Sequence, residues 1–194
     1  YPVAARQHGT EMASLIIHGD INRGEPPLSR PLYVRPIMEP VRTLDGWDER
    51  TPSDRLLVDH VYRAVRRVKE GEAGEAPTAP GVFMINLSMG DESRQFCGPM
   101  SPLARLLDHL AYRYNVLFLV SAGNIRAPLA LTGFVNWTAF ESATQVEREA
   151  ALFAAIDAQK ATRTILSPAE AMNVLTVGAA HRDAMPPRWR RDAP

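Results

Sequence analysis

The chain has 194 residues, enough for one domain with a substantial core, and 45% are hydrophobic against 23% charged, an ordinary globular balance. Lys plus Arg and Asp plus Glu number 22 each, so net charge gives no argument for a nucleic-acid partner, and no basic stripe stands out. Apolar runs such as Val116 to Val120 are far too short to cross a bilayer, so no membrane segment is expected.

The chain begins with Tyr1 and shows no basic segment followed by an apolar one, so no signal peptide is read. A start inside a longer precursor is the expectation. The one cysteine, Cys97, excludes an internal disulfide framework and a cysteine-rich metal site. Its turn-like context, Gln95-Phe96-Cys97-Gly98-Pro99, suggests a buried or idle thiol.

In chain order, Met12, Leu15 and Ile16 recur at helical spacing and predict a helix over 9–18, stopped by Gly19-Asp20. Residues 20–31 read as a loop. Leu32 to Met38 is a strand candidate, weakened by Pro36. A polar loop follows to Pro52. Ser53 offers an N-cap, and Leu56, Leu57, Val61, Ala64, Val65 and Val68 predict a helix over 53–70. Its Arg63, Arg66, Arg67 and Lys69 read as a solvated face with favourable charge at the helix C-terminus. Residues 71–81 form a linker.

Val82 to Ser88 is a short strand ended by Met89-Gly90. Ser101-Pro102 opens a helix with Leu103, Leu106, Leu107, Leu110 and Ala111 on its apolar face. Val116 to Ala122 is an unalternating strand, as expected where both faces are covered. Residues 125–140 are irregular, 142–160 an Ala-rich helix, and Val174 to Gly178 a last strand. The alternation of helices and strands predicts an α/β fold: a mostly parallel sheet with helices on both faces. Active sites of such sheets lie at the carboxyl ends of the strands, where Gly90 and Asn124 both fall.

The chemistry rests on two separated motifs. His8-Gly9-Thr10 places an imidazole, whose ordinary pKa suits a general base, at a helix start beside a small residue. Val120-Ser121-Ala122-Gly123-Asn124 places a carboxamide donor at a strand end, where it suits an oxyanion. Ser88-Met89-Gly90 ends its strand at the same edge and suits pairing with an extended peptide. The bland readings stand beside these: a capping or surface histidine, and a Gly-Asn turn. His18 and Asp20 lack a third ligand, so no metal site is read. Arg188, Arg190 and Arg191 around Trp189 read as a loose tail.

These residues resemble the subtilisin-like serine peptidases. His8-Gly9-Thr10-Glu11-Met12-Ala13 is similar to the family's histidine motif, and Leu32 to Met38 to the strand that follows it. Ile85-Asn86-Leu87-Ser88-Met89-Gly90 is similar to the substrate-flanking strand, and Val120 to Asn124 to the oxyanion strand. Ser167-Pro168-Ala169 through Ala179 looks like the later proline loop and strand. The resemblance implies that His8 is the general base and Asn124 the oxyanion donor. It implies that Ser88, Met89 and Gly90 bind substrate main chain, and that Ser121 and Gly123 wall the pocket for the residue before the scissile bond. It implies a peptide or protein substrate, favours a secreted or periplasmic setting, points to no particular cofactor and admits structural calcium.

The sequence also departs from the family pattern. The family's aspartate precedes the histidine, and none of the seven residues before His8 is acidic. No Gly-Thr-Ser nucleophile motif occurs, and Ser14, Ser88, Ser121 and Ser167 fall in segments matching other parts of the pattern. The expected reading is therefore a partial subtilisin-like peptidase domain over 1–194, with an inserted helical segment at about 125–166. The parent would hydrolyse peptide bonds through an acyl-enzyme, and these residues alone would be inactive. The alternative is a non-catalytic peptide-binding or regulatory module. Self-association, or pairing with further segments, is expected from an unfilled sheet edge.

Overall fold

The computed structural model describes residues 7–44 and 46–179. The tail around Trp189 lies outside the described residues. Ser101 and Pro102 begin a helix as their chemistry dictates. Proline fits the first helical position, and the Ser101 hydroxyl accepts from the Ala104 N–H at 3.1 Å. This helix, α3 (Pro102–Tyr114), ends at Asn115 in the left-handed conformation. Its apolar face, Leu103, Ala104, Leu107, Leu110 and Ala111, is buried.

The other elements, in chain order, are α1 (Gln7–His18), β1 (Glu39–Thr43), β2 (Gly46–Arg50), α2 (Leu57–Lys69), β3 (Met84–Leu87) and β4 (Asp91–Gln95). After α3 come β5 (Leu117–Ser121), α4 (Trp137–Ser142), α5 (Gln145–Gln159), β6 (Leu166–Ser167) and β7 (Val174–Val177). The strands β3, β5 and β7 form an all-parallel sheet with β5 at its centre. In register, Ile85 stands beside Phe118, and Phe118 beside Val174. Phe118 and Val120 point into the core formed with Val61 and Val65 of α2 and with α3. Burying these side chains supplies the main stabilisation, at roughly 25 cal/mol per Å² of apolar surface removed from water.

The α/β class and the parallel sheet stand. Among the described residues the core helices α2 and α3 pack with the face that carries Phe118 and Val120. The opposite face presents Met84, Leu117, Leu175 and Val177, all exposed. Burial along β5 therefore alternates, against the expectation of a strand covered on both sides.

Several expected boundaries are corrected. Residues 31–38 form no strand, because Pro31 and Pro36 remove ladder donors and restrict the residues before them. The pairing lies just beyond, in the antiparallel hairpin of β1 and β2. Helix α2 begins at Leu57 and not at Ser53, because Leu56 is extended and provides no side-chain cap bond. The helix expected at 142–160 is α5, and a further short helix, α4, lies before it in the stretch expected to be irregular, the two separated at Ala143, which is extended. Thr144 then opens α5 with a reciprocal capping box to Glu147.

The basic face of α2 is more than solvated surface. Arg63 pairs with Glu72 at 2.6 Å, Arg67 pairs with Glu75, and the Lys69 ammonium donates to the carbonyls of Pro80 and Val82. The helix thus clasps its own linker. Glu70 accepts from Arg113 at 2.8 Å, from Tyr114 at 2.7 Å and from Arg66 at 3.1 Å. The Arg113 guanidinium first, then the Tyr114 hydroxyl, hold its carboxyl down at about 2. A carboxyl lowered on folding contributes stability above its ordinary pKa and loses it as pH falls towards the folded value. In Glu70→Gln, the fall in thermal midpoint between about pH 4.5 and about pH 2 should be shallower than in the unaltered chain. A pH titration of the melting midpoint checks this; identical slopes would contradict it.

Candidate active site at the strand ends

Beyond the parallel sheet, the chain turns at two glycine-bearing corners. After β3, Ser88 and Met89 are half-buried, and the Met89 N–H donates to the Leu87 carbonyl at 2.9 Å. The Asn86 carboxamide donates to the Ser88 hydroxyl at 2.9 Å. After β5, the Ser121 hydroxyl accepts from the Gly123 N–H at 3.1 Å, and Gly123 takes a positive φ of 93°. A side chain at Gly123 would be strained there, so glycine suits this corner.

The two corners meet. A Cβ placed on Gly90 would lie 3.3 Å from the Gly123 Cα. Leu166 packs against both, and its N–H donates to the Ala122 carbonyl at 3.0 Å. Its strand β6 pairs antiparallel with β4, which sets Asp91 opposite Ser167. The β4–β6 pair was not anticipated. Asp91 to Gln95 carries no apolar alternation, and Leu166-Ser167 is too short to show one.

Asn124 follows directly and is exposed; no hydrogen bond among the described residues engages its carboxamide. It is available as a donor at the carboxyl edge of β5. Ser88, Met89, Gly90, Ser121, Gly123 and Asn124 thus share one edge of the sheet, as their strand positions require.

His8 lies in the first turn of α1, and the space about Gly9 is open. The imidazole is 55% exposed, and its Nδ1 lies 3.6 Å from a carboxylate oxygen of Glu49 in β2. That distance is too long for a hydrogen bond. It leaves a carboxylate near the ring nitrogen that an orienting acid addresses in a triad. Among the described residues, none of α1 belongs to the central core. Among the described residues, no hydrogen bond or ion pair joins α1 to the strand-end corners. The α1 helix is instead held by the Leu28 N–H, which donates to the Ile17 carbonyl at 2.6 Å.

Other candidate groups find local roles. Asp20 accepts from the Asn22 N–H and caps a short 3-10 turn, so it is a capping residue beside an exposed His18. No group of three or more His, Cys, Asp or Glu fit to hold a metal occurs among the described residues. Cys97 is exposed, contrary to the buried reading, on the rim of a cavity of about 200 Å³. Inside that cavity the Ser167 hydroxyl donates to the Ser101 hydroxyl at 2.6 Å, and Glu170 Oε1 accepts from the Ser101 N–H at 3.0 Å. No helix among the described residues is long and apolar enough to cross a membrane.

At this edge of the parallel sheet, the strand ends bring together a pair of glycines and an unengaged carboxamide. The family model described as the Subtilase family matches residues 2–191, and the chain belongs to that family. It is thus a serine peptidase-type domain. No curated protein and no solved structure matches the chain.

Proposed function

We propose that this chain supplies the general base and the oxyanion donor of a serine endopeptidase that cleaves peptide bonds through an acyl-enzyme. The observation that carries the reading is the meeting of the Gly90 and Gly123 corners, with the Asn124 carboxamide unengaged beside them. In this mechanism a substrate strand lies along Ser88, Met89 and Gly90 by backbone pairing. Ser121 and Gly123 wall the space for the residue before the scissile bond. The Asn124 amide donates to the oxygen of the tetrahedral intermediate as charge develops there. His8 takes the proton from the nucleophile and returns it to the leaving amine.

The nucleophile is a serine outside the segments matched above, since no Gly-Thr-Ser motif occurs in these residues. In this proposal residues 1–194 form part of one peptidase domain, and about 125–166 is an insertion. That segment closes on itself: Arg163 donates to the carbonyls of Ala127 and Pro128. The open apolar face of the sheet supports self-association or pairing with further segments.

The test is hydrolysis of a peptide ester. The 194 residues alone should give none. A longer protein carrying them together with a Gly-Thr-Ser segment should hydrolyse it, and His8→Ala should abolish the activity. Hydrolysis by the 194 residues that His8→Ala removes would contradict the assignment of the nucleophile. Peptide binding without hydrolysis in the longer protein would favour a non-catalytic binding module.

A further inference from the structure

The space that the two strand-end corners would offer a substrate side chain is already occupied by the chain's own side chain. Leu166 is 1% exposed. A Cβ on Gly123 would fall 2.5 Å from its Cγ, and a Cβ on Gly90 would fall 3.3 Å from its Cβ. The isobutyl group therefore stands in contact with both backbones that would wall the site for a substrate side chain. It is held there from two sides, by the Leu166 N–H bond to the Ala122 carbonyl and by the pairing of β6 with β4. Successive side chains of a strand point to opposite faces. Ser167 accordingly faces away, into the cavity with Ser101, so that cavity does not continue the cleft past Leu166.

We infer that Leu166 sets the specificity of this cleft, filling it so that only a small residue, glycine or alanine, is accepted before the scissile bond. This deepens the peptidase reading and rests on it. A large side chain must either displace a fully buried leucine or remain outside in water. A small one loses little, because its backbone still pairs at Ser88 to Gly90. Each methylene gained or refused in an apolar pocket changes discrimination by about tenfold or more. The residue acts on the substrate side chain alone and leaves the proton transfer at His8 untouched.

The experiment compares N-acetyl-Ala-Ala-Ala with N-acetyl-Ala-Ala-Phe, bound to the full chain and followed by calorimetry. The unaltered chain should bind the alanine peptide at least about tenfold more tightly. Leu166→Gly, or Leu166→Ala where the glycine variant does not fold, should erase or reverse that preference while changing the alanine peptide's affinity by less than about threefold. Equal binding of the two peptides by the unaltered chain overturns the inference and leaves the peptidase reading standing. A preference for alanine that survives in a folded Leu166→Ala chain does the same. Failure of both peptides to bind the unaltered chain overturns the peptidase reading and this inference together.

Discussion

Gly123→Ala should be the most damaging single-methyl change at the strand ends, destabilising the domain by about 2–4 kcal/mol. Two independent effects add here. The new Cβ would sit 2.5 Å from Leu166 Cγ and 2.6 Å from its Cβ, inside any real carbon contact. Overpacking of that kind costs about 1–3 kcal/mol. The backbone at this corner also holds φ at 93°, where an alanine adds about 1 kcal/mol or more. Gly90→Ala serves as the internal control. Its Cβ would meet Leu166 and the Gly123 Cα only at 3.3 Å, and no positive φ is required, so its cost should be clearly smaller. Adding Leu166→Ala to Gly123→Ala should restore part of the loss, although Leu166→Ala alone costs about 2–5 kcal/mol. Urea unfolding of the four variants measures this. Equal midpoints for Gly123→Ala and Gly90→Ala would show that Leu166 does not press on the Gly123 corner.

In a longer protein that carries these residues together with a Gly-Thr-Ser segment, Asn124→Ala should lower hydrolysis about a hundred- to a thousandfold in kcat with little change in KM; subtilisin is itself the example from which that magnitude is taken. The direction follows from the local structure. The carboxamide is exposed and carries no bond among the described residues, so its removal leaves no buried group stranded. A donor used only as the oxyanion forms should be missed in kcat and not in substrate binding. His8→Ala in the same protein should be at least as severe. Steady-state kinetics on a peptide ester decide it. A change in KM with kcat intact would make Asn124 a ground-state contact and remove it from the oxyanion role.

Much of the frame was legible from the residues themselves. The apolar run at 116–122 and the matching segments at 82–88 and 174–178 located the three parallel strands within one or two positions. Ser101-Pro102 located the start of α3, because a cap and a first-turn proline act through their immediate neighbours. The features that escaped depend on distant partners. Asp91 to Gln95 is polar throughout and becomes a strand only because Leu166-Ser167 pairs with it. Glu49 stands in a loop-like polar run and reaches the His8 ring only through the β1–β2 hairpin. Leu166 reads as one more apolar residue, and its position against two glycine corners exists only once three separate segments have assembled. For the site, strand-end positions follow from topology, whereas a side chain that fills the cleft does not.

The proposed mechanism requires the His8 imidazole and the Asn124 carboxamide to serve one bound peptide. The most direct measurement is an NMR titration of the 194-residue chain with N-acetyl-Ala-Ala-Ala, following the His8 ring and the Asn124 side-chain amide together. Both sets of resonances should move along saturable curves that fit the same Kd. Movement of the Asn124 amide with a motionless His8 ring, or two different Kd values, would contradict it.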